Sequence, residues 1–138
     1  MNTVIYPLRG FGEITFGMTP DEVNAALGNP DYYENIEDED ASILYYEYED
    51  LGVSIYFEQV DGKNVLSYFE TDNEDVTLFD TEIFSLTPSQ LIELMKRNGA
   101  ELTERDDEDD ETRLSFDDLM MDFFFDGEEM TVISWSVE

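Results

Sequence analysis

Apolar and polar residues alternate along residues 43–49, with Leu44, Tyr46 and Tyr48 on one side and Tyr45, Glu47 and Glu49 on the other. Residues 53–58 do the same, Val53, Ile55 and Phe57 against Ser54, Tyr56 and Glu58. A period of two marks a strand with one buried face. The Asp61-Gly62 pair then predicts a tight turn into a third strand over 65–70. Residues 113–117, 120–126 and 130–137 predict a second set, with Leu114, Phe116, Met121, Phe123 and Phe125 inward and Met120, Asp122, Phe124 and Asp126 outward. Alternation does not set the side taken by Trp135.

Two stretches follow a helical period instead. Val23, Ala26 and Leu27 fall on one face of a helix predicted over 20–27, and Leu91, Ile92, Leu94 and Met95 on one over 88–98. Each begins with a Thr at the cap (Thr19, Thr87), a Pro at the first helical position (Pro20, Pro88) and Glu22 or Gln90 three residues after the cap, which is a capping box. Met18 with Val23, and Leu86 with Leu91, occupy the positions of a hydrophobic staple. Gly28 and Gly99 are the stops.

Around these, residues 3–8 predict an edge strand, 10–12 a turn, 13–16 and 31–36 short strands, and 37–40 an acidic connection. Residues 76–84 include a strand leading into the second helix, residues 101–105 form a further strand, and 106–111 are a run of acids.

An offset of 68 positions relates Thr19 to Thr87, and the same offset carries Tyr46, Tyr48, Leu51 and Phe57 onto Leu114, Phe116, Leu119 and Phe125. The expected fold is therefore α+β, one domain over residues 1–138 made of two tandem repeats, about 13–74 and 75–138. Each is a helix followed by a three- or four-stranded antiparallel meander, the two sharing one sheet with both helices on one face. The other face is expected to be open.

Gly17-Met18-Thr19 with Val23 and the following Leu27-Gly28-Asn29-Pro30 resembles the G-M-T-x-x-x-V and L-G-x-P signature of the small outer-membrane assembly lipoproteins (SmpA/OmlA family). In the second half Ser85-Leu86 replaces Gly-Met. The acylated Cys of a lipoprotein has no counterpart, because the chain has no Cys. The tandem helix-and-meander plan is similar to the β-lactamase inhibitor protein fold, which implies a sheet face that grips another protein. No individual inhibitory residue matches, so none is carried over.

Charge changes the picture most. Against 36 Asp and Glu stand six Lys and Arg, a net charge of −30. Such a surface repels nucleic acid and anionic membranes and attracts basic partners. Solubility of a small domain asks for a net charge of only about 2 to 8. Without His or Cys, and with two Lys, nucleophilic catalysis has no activating base to work with, and no enzyme activity is expected. An EF-hand loop starting at Asp106 would need Gly sixth and Glu twelfth, where the chain has Glu111 and Asp117; no metal site or cofactor is expected. Residues 1–9 lack a long apolar run, so a cytoplasmic location is expected.

The expected function is a non-catalytic acidic inhibitor, an immunity protein that neutralises a basic protein such as a cognate bacterial toxin of nuclease type. It would act as a monomer or weak homodimer, with no direct nucleic-acid or membrane partner. Partner-binding candidates are the outward aromatics Tyr45, Tyr56 and Phe124 with Met120, the interleaved acids Glu47, Glu49, Glu58, Asp122 and Asp126, and the run Asp106, Asp107, Asp109 and Asp110. The alternatives are a nucleic-acid mimic that inhibits a DNA-binding enzyme in phage defence or counter-defence, and an acidic accessory domain without inhibitory role.

Overall fold

The structure is a computed structural model that describes residues 2–37, 39 and 42–137. Its centre is an eight-stranded antiparallel sheet. Strands β4 (Tyr32–Glu37), β5 (Ser42–Tyr48), β6 (Val53–Val60) and β7 (Lys63–Thr71) form one meander, and β10 (Glu104–Glu108), β11 (Glu111–Phe116), β12 (Met121–Asp126) and β13 (Glu129–Ser136) another. The order across the sheet is β10-β11-β12-β13-β7-β6-β5-β4, with β4 and β10 at the edges. The alternating residues do as their period requires. Leu44, Tyr46, Tyr48, Val53, Ile55 and Phe57 are buried, as are Leu114, Phe116, Met121, Phe123 and Phe125. At the β6–β7 turn Asp61 and Gly62 both take positive φ, the conformation that makes Asp-Gly a hairpin signal.

Before the meanders come β1 (Ile5–Tyr6), β2 (Gly10–Phe11), β3 (Ile14–Thr15) and helix α1 (Pro20–Leu27); between them come β8 (Thr77–Leu78), β9 (Thr81–Glu82), a 3-10 turn (Ile83–Ser85) and helix α2 (Pro88–Arg97). Both capping boxes form. The Thr19 hydroxyl accepts from the Glu22 N–H at 3.3 Å while the Thr19 N–H donates to Glu22 Oε1 at 3.2 Å, and Thr87 and Gln90 exchange the same pair of bonds at 3.3 and 2.9 Å.

The expected α+β class, two tandem repeats with their helices as the layer over a shared sheet, is corrected. The molecule is mostly sheet, half strand and 18% helix. The reason is how little the helices cover. Helix α1 buries only Val23, with Ala26 exposed and Leu27 half-buried, whereas α2 buries Pro88, Leu91, Leu94 and Met95. The middle of the sheet is closed instead by the N-terminal strands. Trp135 stacks on Phe69 with centroids 5.1 Å apart, and Phe11 of β2 packs against both at 5.9 and 6.2 Å. The Trp135 indole N–H donates to the Gly10 carbonyl at 3.1 Å, and Phe16 sets its ring against Phe69 at 5.2 Å. The segment before α1 is tied to β7 by backbone bonds from Gly17 N–H to Leu66 O and from Leu66 N–H to Met18 O, at 2.9 and 2.8 Å.

Local expectations shift in three further places. Gly10 and Phe11, expected in a turn, are strand, and the edge strand over 3–8 shortens to Ile5–Tyr6. The strand expected over 101–105 lies later, and most of the acidic run 106–111 is hairpin, because pairing against β11 carries Asp106, Asp107 and Glu108 into the sheet as its edge strand. Met120 is not strand; it takes a left-handed conformation after a 3-10 turn at Asp117–Leu119. Of the acidic connection expected at 37–40, Glu37 is the last residue of β4 and Glu39 lies in a bend, while Asp38 and Asp40 fall outside the described residues.

Two bulges decide the parity that simple alternation misses. In β7 Leu66 and Phe69 are both buried although three residues apart, because the register against β6 slips between Tyr56 and Phe57. In β13 Met130 and Ile133 repeat this spacing across a slip between Phe124 and Phe125. The second slip turns Trp135 into the core.

Candidate functional site

The candidate site is the sheet face away from the helices. In an antiparallel pair, residues directly opposite share a face, so the registers define its rows. One row runs Glu34, Tyr45, Tyr56, Tyr68 and Ser136 across β4, β5, β6, β7 and β13. The next runs Tyr32, Glu47, Ser54, Glu70, Ser134, Asp122, Ser115 and Glu104 through all eight strands. Farther along, Val132, Phe124, Arg113 and Asp106 are neighbours on β13, β12, β11 and β10.

The tyrosines form a ladder. Tyr32 meets Tyr45 edge-on at 6.1 Å, Tyr45 tilts against Tyr56 at 5.0 Å, and Tyr56 meets Tyr68 edge-on at 5.1 Å. The Tyr45 and Ser54 hydroxyls are hydrogen-bonded at 3.1 Å. Burial, with the Glu70 carboxylate second, pushes the Tyr56 hydroxyl up to about 12, and burial raises Tyr45 and Tyr68 as well. All three rings therefore carry neutral phenols at neutral pH. Glu70 lies beside them, half-buried, its carboxyl raised by burial and by the neighbouring Asp72. A carboxylate held there lacks much of its hydration without a cation in place of it.

Two clefts open on this face and meet at Glu70 and Val132. One, of about 410 Å³, lies over Tyr45 and Tyr56 with Glu47, Glu49 and Asp72 on its walls. The other, of about 580 Å³, is lined by Tyr68, Phe124, Arg113 and the acids of the β10–β11 hairpin. Arg113 pairs with Glu104 at 3.2 Å, and Ser115 donates to Asp122 at 2.5 Å. Among the described residues no group of acids converges as metal ligands would, and no helix is long and apolar enough to cross a membrane.

Of the residues singled out from sequence, the structure brings Tyr45, Glu47, Tyr56, Asp122 and Phe124 together on this face, with Glu58, Asp106 and Asp126 at its margins. Others lie apart. Asp107 falls on the opposite side with Thr112, where it accepts from Arg105 and Thr112 at 2.9 and 2.6 Å; those bonds hold its carboxyl below the usual range. Asp109 and Asp110 are at the hairpin turn and Met120 sits before β12. Glu49 is in the turn after β5, its N–H donating to Asp31 at 2.7 Å, and from there it reaches only the wall of the first cleft. Sequence reasoning missed Tyr32, Tyr68, Glu70 and Arg113. The three-residue spacing of Leu66 and Phe69 is the signal that would have placed Tyr68 and Glu70 outward.

No family model matches the chain, and no curated protein does. Among solved structures, an extracellular protein containing a SCP domain from Bacillus anthracis str. Ames is similar over 88% of this chain and 44% of that one, at 13% identity and a TM-score of 0.49. A DUF4309 family protein, YjgB, from Bacillus subtilis subsp. subtilis str. 168 is similar over 95% of this chain and 88% of that one, at 14% identity and a TM-score of 0.56. At that identity the likeness to YjgB is one of fold.

Proposed function

We propose that this chain is a non-catalytic acidic inhibitor that binds and neutralises a basic protein on the open face of its sheet, the partner being a cognate bacterial toxin such as a nuclease. The observation that carries the reading is the row of half-buried rings on an uncovered sheet face, bordered by carboxylates. Rings supply the desolvated centre that interfaces depend on, and the acids supply long-range attraction for a positively charged surface. The −30 charge then acts on the association rate and the rings on the lifetime of the complex.

The test is titration of the purified chain against the basic toxin domains encoded beside it in its genome, with toxin activity as a second readout. A one-to-one complex is expected, with an on-rate that falls by roughly tenfold or more from low to physiological salt. Tyr56→Ala and Phe124→Ala should each weaken it by about 1–3 kcal/mol if they are anchors. A complex indifferent to both substitutions would favour the nucleic-acid mimic, in which carboxylates alone are read. No complex and no protection with any such domain would overturn the reading.

A further inference from the structure

We propose that the cleft over the tyrosine ladder is an arginine site, taking one guanidinium of the basic partner flat against the rings of Tyr45 and Tyr56 with the Glu70 carboxylate as its counter-ion. The inference deepens the reading above and rests on it.

Glu70 is the starting point. It stands in the middle of the sheet between Ser54 and Ser134, not at an edge where water would hydrate it freely. Among the described residues its carboxylate has neither a hydrogen-bond donor nor a cation as partner. Of the two cations this face carries by register, Arg113 is occupied by Glu104 on the far side of Phe124, and Lys63 stands opposite Val60 at the β6–β7 turn, seven residues along the strand from Glu70. A half-dehydrated carboxylate beside electron-rich ring faces is a site for a cation, and the rings choose which cation. A guanidinium is planar, weakly hydrated and stacks on aromatic faces, whereas an ammonium is compact and holds its water. A hard metal ion would ask for several converging oxygens, which the described residues do not offer. The cleft of about 410 Å³ is large enough for a side chain and too small for a folded element, so the occupant is an arginine projecting from a partner surface. Glu47, Glu49 and Asp72 on the cleft walls add attraction and exclude anionic groups.

The experiment uses the full chain and three blocked Gly-X-Gly peptides, X being arginine, its neutral isostere citrulline, or lysine, with free spermidine as a fourth probe. Binding is followed by NMR on the Glu70 amide and on the ring resonances of Tyr45, Tyr56 and Tyr68. The arginine peptide is expected to move these resonances saturably, with citrulline, lysine and spermidine weaker by about tenfold or more. Glu70→Gln, which keeps the shape and removes the charge, should weaken the arginine peptide by about tenfold while leaving the rest of the spectrum in place. Equal binding of citrulline or of spermidine at these resonances, or arginine shifts confined to the β10–β11 hairpin and unchanged in Glu70→Gln, would overturn the site. If Glu70→Gln binds the toxin as tightly as the wild type, the arginine site fails while the inhibitor reading stands. If the arginine peptide binds as described and no basic protein does, the reverse holds.

Discussion

Glu70 shows what one side chain does on this face before any partner arrives. Burial and Asp72 raise its carboxyl, so the folded state holds this proton at pH values where the unfolded chain has lost it. Stability therefore falls as pH rises from the unfolded value to the folded one, and the ionised group is a burden at neutral pH. The groups facing it are Tyr45, Glu47 and Tyr56 from β5 and β6, Tyr68 from its own strand, Asp72 just past the end of that strand, and Asp122 beyond Ser134; none carries a positive charge. Glu70→Gln should raise Tm by about 1–3 °C at pH 7 and by nothing near pH 3, well below the unfolded value, where both states of the wild type are protonated. A thermal scan at the two pH values checks this, and a destabilised variant at pH 7 would contradict it. Gly10 is the opposite case, a residue needed for what it lacks. A β-carbon there would stand 2.0 Å from the Ile14 carbonyl oxygen, beside the backbone carbonyl that receives the Trp135 indole. Gly10→Ala should cost about 2–4 kcal/mol in denaturant unfolding, read from the fluorescence of that single Trp.

Among the elements, the helices were readable from sequence to within a residue and the sheet face was not. A cap is a local device. Thr19 and Thr87 bond to residues three positions away, so the Thr-Pro-x-Glu/Gln pattern suffices to place the helix starts. Thr19→Ala and Thr87→Ala should each cost about 1 kcal/mol. Their consequences differ, because α1 buries only Val23 while α2 holds Leu91, Leu94 and Met95 in the core. Amide exchange should show α1 opening before α2, and more so in Thr19→Ala; equal protection of the two helices would contradict the burial argument. Strands β5 and β6 were equally plain, since Leu44 to Tyr48 and Val53 to Phe57 each alternate without interruption on either side of their turn. Strands β7 and β13 were not, because a bulge is set by the partner strand and leaves only a broken period in its own. The same holds for the acidic run. Glu108 and Glu111 read only as members of a run of acids and became paired residues by position, opposite one another across a two-residue turn.

For the molecule as a whole, a charge of −30 on 138 residues works against compactness, and salt relieves it. Raising NaCl from about 20 mM to about 500 mM should raise Tm by on the order of 5 °C, and the same salt should slow association with a basic partner. A flat Tm would mean that the carboxylates are too well solvated to repel one another. The expected helical covering layer failed at this scale. Helix patterns announce themselves strongly, yet two helices of eight and ten residues cannot close eight strands, and Phe11, Phe16 and the Gly10 carbonyl take over the centre of the core. Residue pattern alone was enough for the helix starts, the inward faces of β5, β6, β11 and β12, and the net charge of −30, because each depends on neighbours within a few positions or on a sum over the chain. The ladder from Tyr32 to Tyr68, the isolation of Glu70 and the place of Trp135 were settled only by folding. Those depend on which strand lies beside which and where the register slips, and both are properties of residues far apart in the chain.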